Sequence, residues 1–285
     1  MKAEEGMTRE DSRVVVTASL DNLTSADVRF LQEAARFGPL HVRVPSDALV
    51  ERLTGSVPRF PAAERRFLAA SLRCVNSVGI AGREMTDALP DLARRFASLA
   101  VRERDADAPA AHAWAARGRE LRVVPDADLA GFPGWDSDAT AVASPAPGDP
   151  DRTIVTGCFD WLHSGHIRFF MDAAAVGELY VVVGSDRNVE LLKGPGHPLQ
   201  HESERRYMVG AIRSVHRCLV STGSGWMDAE PEITSIRPRF YVVNEDVDQL
   251  AKRDFCATHG IEYVVLRRLP HKGLPARSST TLRGF

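Results

Sequence analysis

In the C-terminal half of the chain, short apolar runs alternate with longer stretches of helical spacing. Residues 154–158 form a brief β-type run, residues 166–175 carry apolar side chains at helical intervals, and residues 179–184 (LYVVVG) are a continuous, largely β-branched run. An unbroken run of that kind suits a strand buried on both faces of a parallel sheet. The pattern then predicts a charged helix over 202–213, strands over 217–221, 240–243 and 262–266, and a helix over 249–259. Strands separated by helices of this length imply right-handed crossovers and a doubly wound parallel α/β sheet.

The N-terminal half follows the same pattern because it is the same sequence, diverged. VVVTASLDNLTSADVRFLQEAARFG from Val14 lies over TIVTGCFDWLHSGHIRFFMDAAAVG from Thr153 at an offset of 139, with 19 identities in the 42 positions from Val14 to Gly55. One inserted residue near His197 moves the offset to 140, where ERRFLAASLRCV from Glu64 matches ERRYMVGAIRSV from Glu204. Such self-similarity decides the architecture before any local reading does. It predicts two tandem Rossmann-like domains, residues 13–143 and 152–285, after a disordered segment 1–12. The Pro-, Gly- and Asp-rich stretch 144–151 (SPAPGDPD) reads as the linker between them.

Composition narrows the partners. A net charge of -2 supplies no basic field for nucleic acid. The four cysteines are widely spaced with no CxxC, which argues against a zinc site or a disulfide framework. No apolar run approaches a membrane span and the first residues are polar and acidic, so the chain reads as soluble and cytoplasmic, with no membrane partner.

The chemistry concentrates in one copy. The strand ending at Thr156 runs into Gly157-Cys158-Phe159-Asp160-Trp161-Leu162-His163-Ser164-Gly165-His166 and then a helix. This sets glycines and two imidazoles between a strand C-terminus and a helix N-terminus, where open α/β sheets bind ligands and free N–H groups favour phosphate. Two imidazole donors aimed at a phosphoryl group would stabilise the charge gained when an α-phosphate is attacked and pyrophosphate leaves. Cys158 has no paired base in this motif and reads as a loop residue rather than a nucleophile.

GCFDWLHSGH resembles the GxFDxxHxGH signature of the cytidylyltransferase-like nucleotidyltransferases, which include glycerol-3-phosphate, phosphocholine and phosphoethanolamine cytidylyltransferases and the adenylyl-transferring domain of ADP-heptose synthase. The resemblance implies a catalytic set of His163, His166, Lys193 (in LLKG) and Arg205 (in ERRYMV). It implies nucleotide contacts from Thr156, Gly157, Cys158, Phe159 and Gly165, and from Arg277, Ser279 and Thr280 in a segment similar to the family's C-terminal STT motif. Asp186, Trp226 and Asn244 fall where substrate contacts are expected, although Asn244-Glu245-Asp246 departs from the family's Gly-Asp-Asp-like segment. The implied reaction joins CTP to a small phosphate- or phosphonate-bearing alcohol, with ATP and a sugar phosphate as the alternative pair. Mg²⁺ would bridge nucleotide phosphates with few protein ligands, and no metal motif is visible in the sequence. The resemblance also implies paired domains, as an internal pseudo-dimer of the two repeats or as a homodimer. Against these stands a non-catalytic nucleotide-binding regulator.

The first copy acts as a control. Thr24-Ser25-Ala26-Asp27 replaces His-Ser-Gly-His, Ala18 replaces Gly157, Pro45 replaces Gly184, Thr54 replaces Lys193, and Trp135, Asp136 and Asp138 replace Arg277, Ser278 and Thr280. Each change removes a donor, a positive charge or close backbone access, so the first copy is expected to be silent. Asp21/Asp160, Asp47/Asp186 and Arg65/Arg205 survive in both copies, which raises the weight of a role in the fold or in domain contacts and leaves the choice against a site role open.

Overall fold

The computed structural model of the chain describes residues 12–132, 142, 144–279 and 282. Apart from Ser12, the N-terminal segment expected to be disordered lies outside them, as do Thr280 and the first-copy positions 135, 136 and 138. Contacts divide the chain into two compact units, Met1–Gly131 and Phe132–Phe285. That division comes before the expected linker. The Phe132 ring meets Tyr207 at 5.1 Å between centroids, and Val142 packs on the core of the second unit. Within residues 144–151, Ala146 and Asp149 close a turn through two hydrogen bonds of 2.8 and 3.1 Å.

Each unit is a five-stranded, all-parallel sheet with helical crossovers. In the first, β1 (Val14–Thr17), β2 (Leu40–Pro45), β3 (Val75–Ala81), β4 (Ser98–Arg102) and β5 (Glu120–Val124) lie in the order β3-β2-β1-β4-β5. In the second, β6 (Arg152–Gly157), β7 (Glu178–Val183), β8 (Arg217–Val220), β9 (Phe240–Asn244) and β10 (Glu262–Leu266) repeat it as β8-β7-β6-β9-β10. The direction in which successive strands are added to the sheet reverses at β1/β4 and at β6/β9. These are the topological switch points where such sheets leave a crevice at their C-terminal edge.

The predicted strands sit within a residue or two of their expected bounds. Leu179 to Val183 are all buried, as an uninterrupted apolar run in a central strand requires. The helix after β6, α6 (Ser164–Ala174), starts two residues earlier than its apolar spacing suggests, because His163 caps it. The charged helix α8 (Glu202–Gly210) stops three residues short. Two short helices escape the periodicity, α7 (Asp186–Lys193) and α9 (Glu230–Ile236). α7 is set by its cap: Ser185 Oγ accepts from Asn188 N at 3.3 Å. Ser46 does the same for Leu49 N at 3.2 Å in α2 (Asp47–Thr54), so the Ser-Asp pair shared by both copies marks a helix start.

Candidate active site

The site is built on the turn between β6 and α6. Phe159 holds a left-handed backbone, φ 49°, and its counterpart Leu20 does so at 54°. A β-carbon on Gly157 would lie 2.8 Å from Phe159 Cζ, so the glycine makes room for the folded-back ring. The first copy solves the same turn with Ala18 and the smaller Leu20. Asp160 fastens the turn from below, accepting from Leu199 N and Gln200 N, both at 2.8 Å. Asp21 accepts from Arg59 N and Phe60 N in the same way, at 2.9 and 2.8 Å.

His163 caps α6 with its side chain. Its Nδ1 accepts from Gly165 N at 3.1 Å, which leaves the ring proton of the neutral form on Nε2. That Nε2 is buried and has no hydrogen-bond partner, as is Nδ1 of His166. The two rings stack with centroids 3.8 Å apart and 20° between planes, and Phe159 meets His166 edge-on at 5.2 Å. Burial, then the charges of Arg268 and Arg277, pushes the His163 pKa down to about 4. Burial, then His163, Arg268 and Lys193, holds His166 well below the usual imidazole value against the opposing pull of a Trp161 main-chain hydrogen bond. At neutral pH both rings are therefore uncharged; His163 Nε2–H is a buried donor and His166 Nδ1 a buried nitrogen with nothing to bond, an arrangement that is expensive unless a ligand completes it.

A cavity of about 540 Å³ opens beside His166. Thr156 to Asp160 line one wall, Gly165, His166 and Phe169 of α6 another, with Lys193 at the end of α7, Asn244 at the end of β9, and Ser279. Thr156 Oγ1 is tied to Tyr241 Oη at 2.7 Å. Arg277 lines a smaller adjoining recess with Arg168, Arg267, Arg268 and Asn244. Positive charge thus comes from Lys193 and a group of guanidiniums, while the imidazoles stay neutral.

Four expected site residues line neither the cavity nor this recess: His163, fully buried against His166, and Arg205, Asp186 and Trp226. Arg205 is fully buried and spends its donors on Gln200 O, Cys158 O, Gly184 O and Asp186 Oδ1, at 2.7 to 2.9 Å. It pins the turn to the neighbouring loops and does not line the cavity. Arg65 makes the matching bonds to Phe60 O, Ser19 O and Asp47 Oδ1 in the first unit. Asp186 is the partner in this tie, with His201 Nε2 at 3.2 Å on its other oxygen. Trp226 is 52% exposed and also outside the lining. Conversely, the cavity includes Arg268, Lys252, Phe169 and His197, which were not expected there, and Asp246 of the segment that departs from the family pattern. Arg268 is braced by Asp246, by its own N–H to Glu245 Oε1 at 3.2 Å, and by Arg277 O at 3.0 Å. Its position directly after β10, at the ligand-binding edge of a doubly wound sheet, was the available signal.

The equivalent cavity of the first unit, about 500 Å³, is crossed by an ion pair. Asp27, at the His166 position, meets Arg102, at the Asn244 position, at 2.5 Å. Asp27 also completes a reciprocal cap with Thr24 on α1 (Ser25–Ala35).

The family model described as cytidylyltransferase-like matches residues 154–283. Over 119 residues the chain is 34% identical to the FAD synthase of Aciduliprofundum boonei, covering 41% of this chain and 76% of that protein. It is 33% identical over 141 residues to the bifunctional protein HldE of Pseudomonas syringae pv. syringae, covering 46% of this chain and 27% of the relative. With HldE of Azorhizobium caulinodans the identity is 32% over 209 residues, 69% of this chain and 43% of the relative. The chain spans less than half the length of these HldE proteins. No helix among the described residues is long and apolar enough to cross a membrane. On the shared motif and on this likeness, the chain belongs to the cytidylyltransferase-like family of nucleotidyltransferases.

Proposed function

We propose that the second unit transfers a nucleotidyl group. An acceptor's phosphate oxygen attacks the α-phosphorus of a nucleoside triphosphate, the new P–O bond forms, and the bond to the β-phosphate breaks to release pyrophosphate. The observation that carries this reading is the stacked imidazole pair, with His166 lining the same cavity as Lys193 and Arg268 and with the buried Nε2 of His163 unpartnered next to it. Neutral imidazoles can donate to an oxygen that gains charge in the transition state, while the fixed cations offset the triphosphate. Ser279 supplies a further hydroxyl at the same cavity. No covalent intermediate is required.

Adenylyl transfer is the preferred form, because FAD, the product named for one relative, is an AMP group joined to a flavin phosphate. The family's cytidylyl members keep CTP as the competing donor. Among the described residues no three His, Cys, Asp or Glu side chains cluster as a metal cage. Mg²⁺ carried in by triphosphate oxygens and water would add its charge to that of Lys193 and Arg268. The lining carboxylates are already engaged, Asp160 by two backbone N–H groups and Asp246 by Arg268.

The test is pyrophosphate release by the full chain, with ATP or CTP and a panel of acceptors: FMN, sugar 1-phosphates, glycerol 3-phosphate, phosphocholine and 2-hydroxyethylphosphonate. Turnover with one pair, reduced on the order of 10²-fold or more in both His163→Ala and His166→Ala, is the expected result. Binding of nucleotide with no turnover across the panel would favour the non-catalytic reading instead.

A further inference from the structure

The repeat exposes a second cavity in the first unit, lined by other residues than the one equivalent to the nucleotide position and joined to it through the Arg43 contacts with Thr17 and Met85. On β7 and β8 of the second unit, Tyr180, Val182 and Leu219 are at most 3% exposed and belong to the core covered by α9. The repeat offset and the strand registers align them with His41, Arg43 and Gly79 of the first unit: Arg43 pairs with Gly79 as Val182 pairs with Leu219, and His41 pairs with Val15 as Tyr180 pairs with Ile154. Where one copy has solid core, the other has a cavity of about 300 Å³ bounded by β2, β3 and the helix α4 (Met85–Arg95).

The groups facing that cavity are predominantly cationic. Arg43 is 7% exposed, and its guanidinium donates only to neutral acceptors: Thr17 Oγ1 at 3.1 Å, Met85 Sδ at 3.0 Å and Arg83 O at 3.3 Å. Among the described residues it has no carboxylate partner. Arg83 and Arg95 line the same space, with Asp91 as the lone acid, already bridged to Arg83 at 2.9 Å. His41 bonds Ser77 Oγ at 2.7 Å, and its ring lies so close that a β-carbon on Gly79 would sit 3.3 Å from Nε2. Burial and then the charges of Arg95, Arg43 and Arg13 hold that imidazole below its ordinary pKa, as expected in a strongly positive surrounding. A buried guanidinium facing only neutral acceptors and other cations is unfavourable without an anion.

We propose that this cavity is an anion site that takes the phosphoryl group of a small ligand, with Arg43, Arg83 and Arg95 as its donors. Guanidinium groups match the paired oxygens of a phosphoryl group, and the apolar remainder of the wall, Ile80, Ala88 and Leu92, leaves room for a compact organic portion. The site does not depend on the nucleotidyl-transfer reading.

Inorganic phosphate is the probe. The ¹⁵N-labelled full chain is titrated with phosphate at constant ionic strength, following the amides of Gly79 and Gly82 for this cavity and of Gly165 for the other. Saturable shifts at Gly79 and Gly82 are expected, weakened at least about tenfold in Arg43→Val, while the Gly165 response stays unchanged. Valine is the residue that the second copy carries at that strand position. Should that variant lose spectral dispersion, Arg95→Ala, at an exposed position of α4, must weaken the same shifts. The absence of saturable shifts overturns the proposal. So do equal responses to chloride or acetate, or undiminished affinity in the folded variants.

Discussion

His163 and His166 stack face to face at 3.8 Å while both are held neutral. This has a measurable consequence for stability. The folded-state pKa of His163, about 4, lies below its ordinary 6.5, so between those values the unfolded chain binds more protons than the folded one. The stabilisation is complete above pH 6.5, falls away as the pH drops toward 4, and is absent below that. Its size is on the order of 3 kcal/mol for this ring alone. Urea unfolding at pH 7, 6, 5 and 4 is expected to show that loss, with a shallower slope in His163→Asn. The His163 resonance itself titrating near 6.5 in the folded chain by NMR would contradict it.

Gly157→Ala is expected to destabilise the second unit by about 1–3 kcal/mol and to lower activity, because the new methyl would lie 2.8 Å from the Phe159 ring. The first unit shows the remedy, since Ala18 coexists with Leu20 at the same left-handed position. Adding Phe159→Leu should therefore restore most of the lost stability, read as recovery of the denaturation midpoint. Equal instability in the single and double variants would place the conflict elsewhere.

The sheet was legible where burial is two-sided: residues 179–183 admit only apolar side chains, and their run marks β7 without ambiguity. The imidazole pair was legible because a strand-to-helix turn is a short local unit. Arg268 was not, since it reaches the cavity from beyond β10, about a hundred residues after the motif, and only the strand order brings it back. Arg205 presented the opposite difficulty. A buried guanidinium that binds carbonyls and one that binds phosphate are the same letter in a sequence, and the retention of Arg65 in a copy without imidazoles was the only distinguishing sign. Helices α7 and α9 are too short for periodicity and depend on caps and on the core they cover.

The different placements of Arg205 and Lys193 separate their variants. Arg205→Ala leaves Asp186 and three carbonyls without their donor and is expected to cost about 3 kcal/mol in denaturant unfolding, as is Arg65→Ala in the first unit. Lys193→Ala, at an exposed helix end, should change stability by no more than about 0.5 kcal/mol and instead lower kcat/KM by weakening the hold on the triphosphate. A stable but inactive Arg205→Ala protein would return Arg205 to the reacting phosphates.

The Asp27–Arg102 pair makes the stoichiometry of nucleotide binding predictable. Asp27 puts a carboxylate where His166 stands in the second unit, and Arg102 neutralises it internally, so the first cavity lacks both the open donors and the positive field that a triphosphate needs. Equilibrium titration is therefore expected to give one nucleoside triphosphate per chain. His166→Ala should weaken that single event, and Asp27→Ala should leave it unchanged. Exchanging the pair for the second copy's residues, Asp27→His with Arg102→Asn, removes the carboxylate, yet Thr54 still stands at the Lys193 position and no second imidazole is present. Two changes should thus create at most weak binding and no turnover. Two equivalent sites in the native chain would show that the ion pair opens for ligand, and the first unit would then have to be counted as a working nucleotide site.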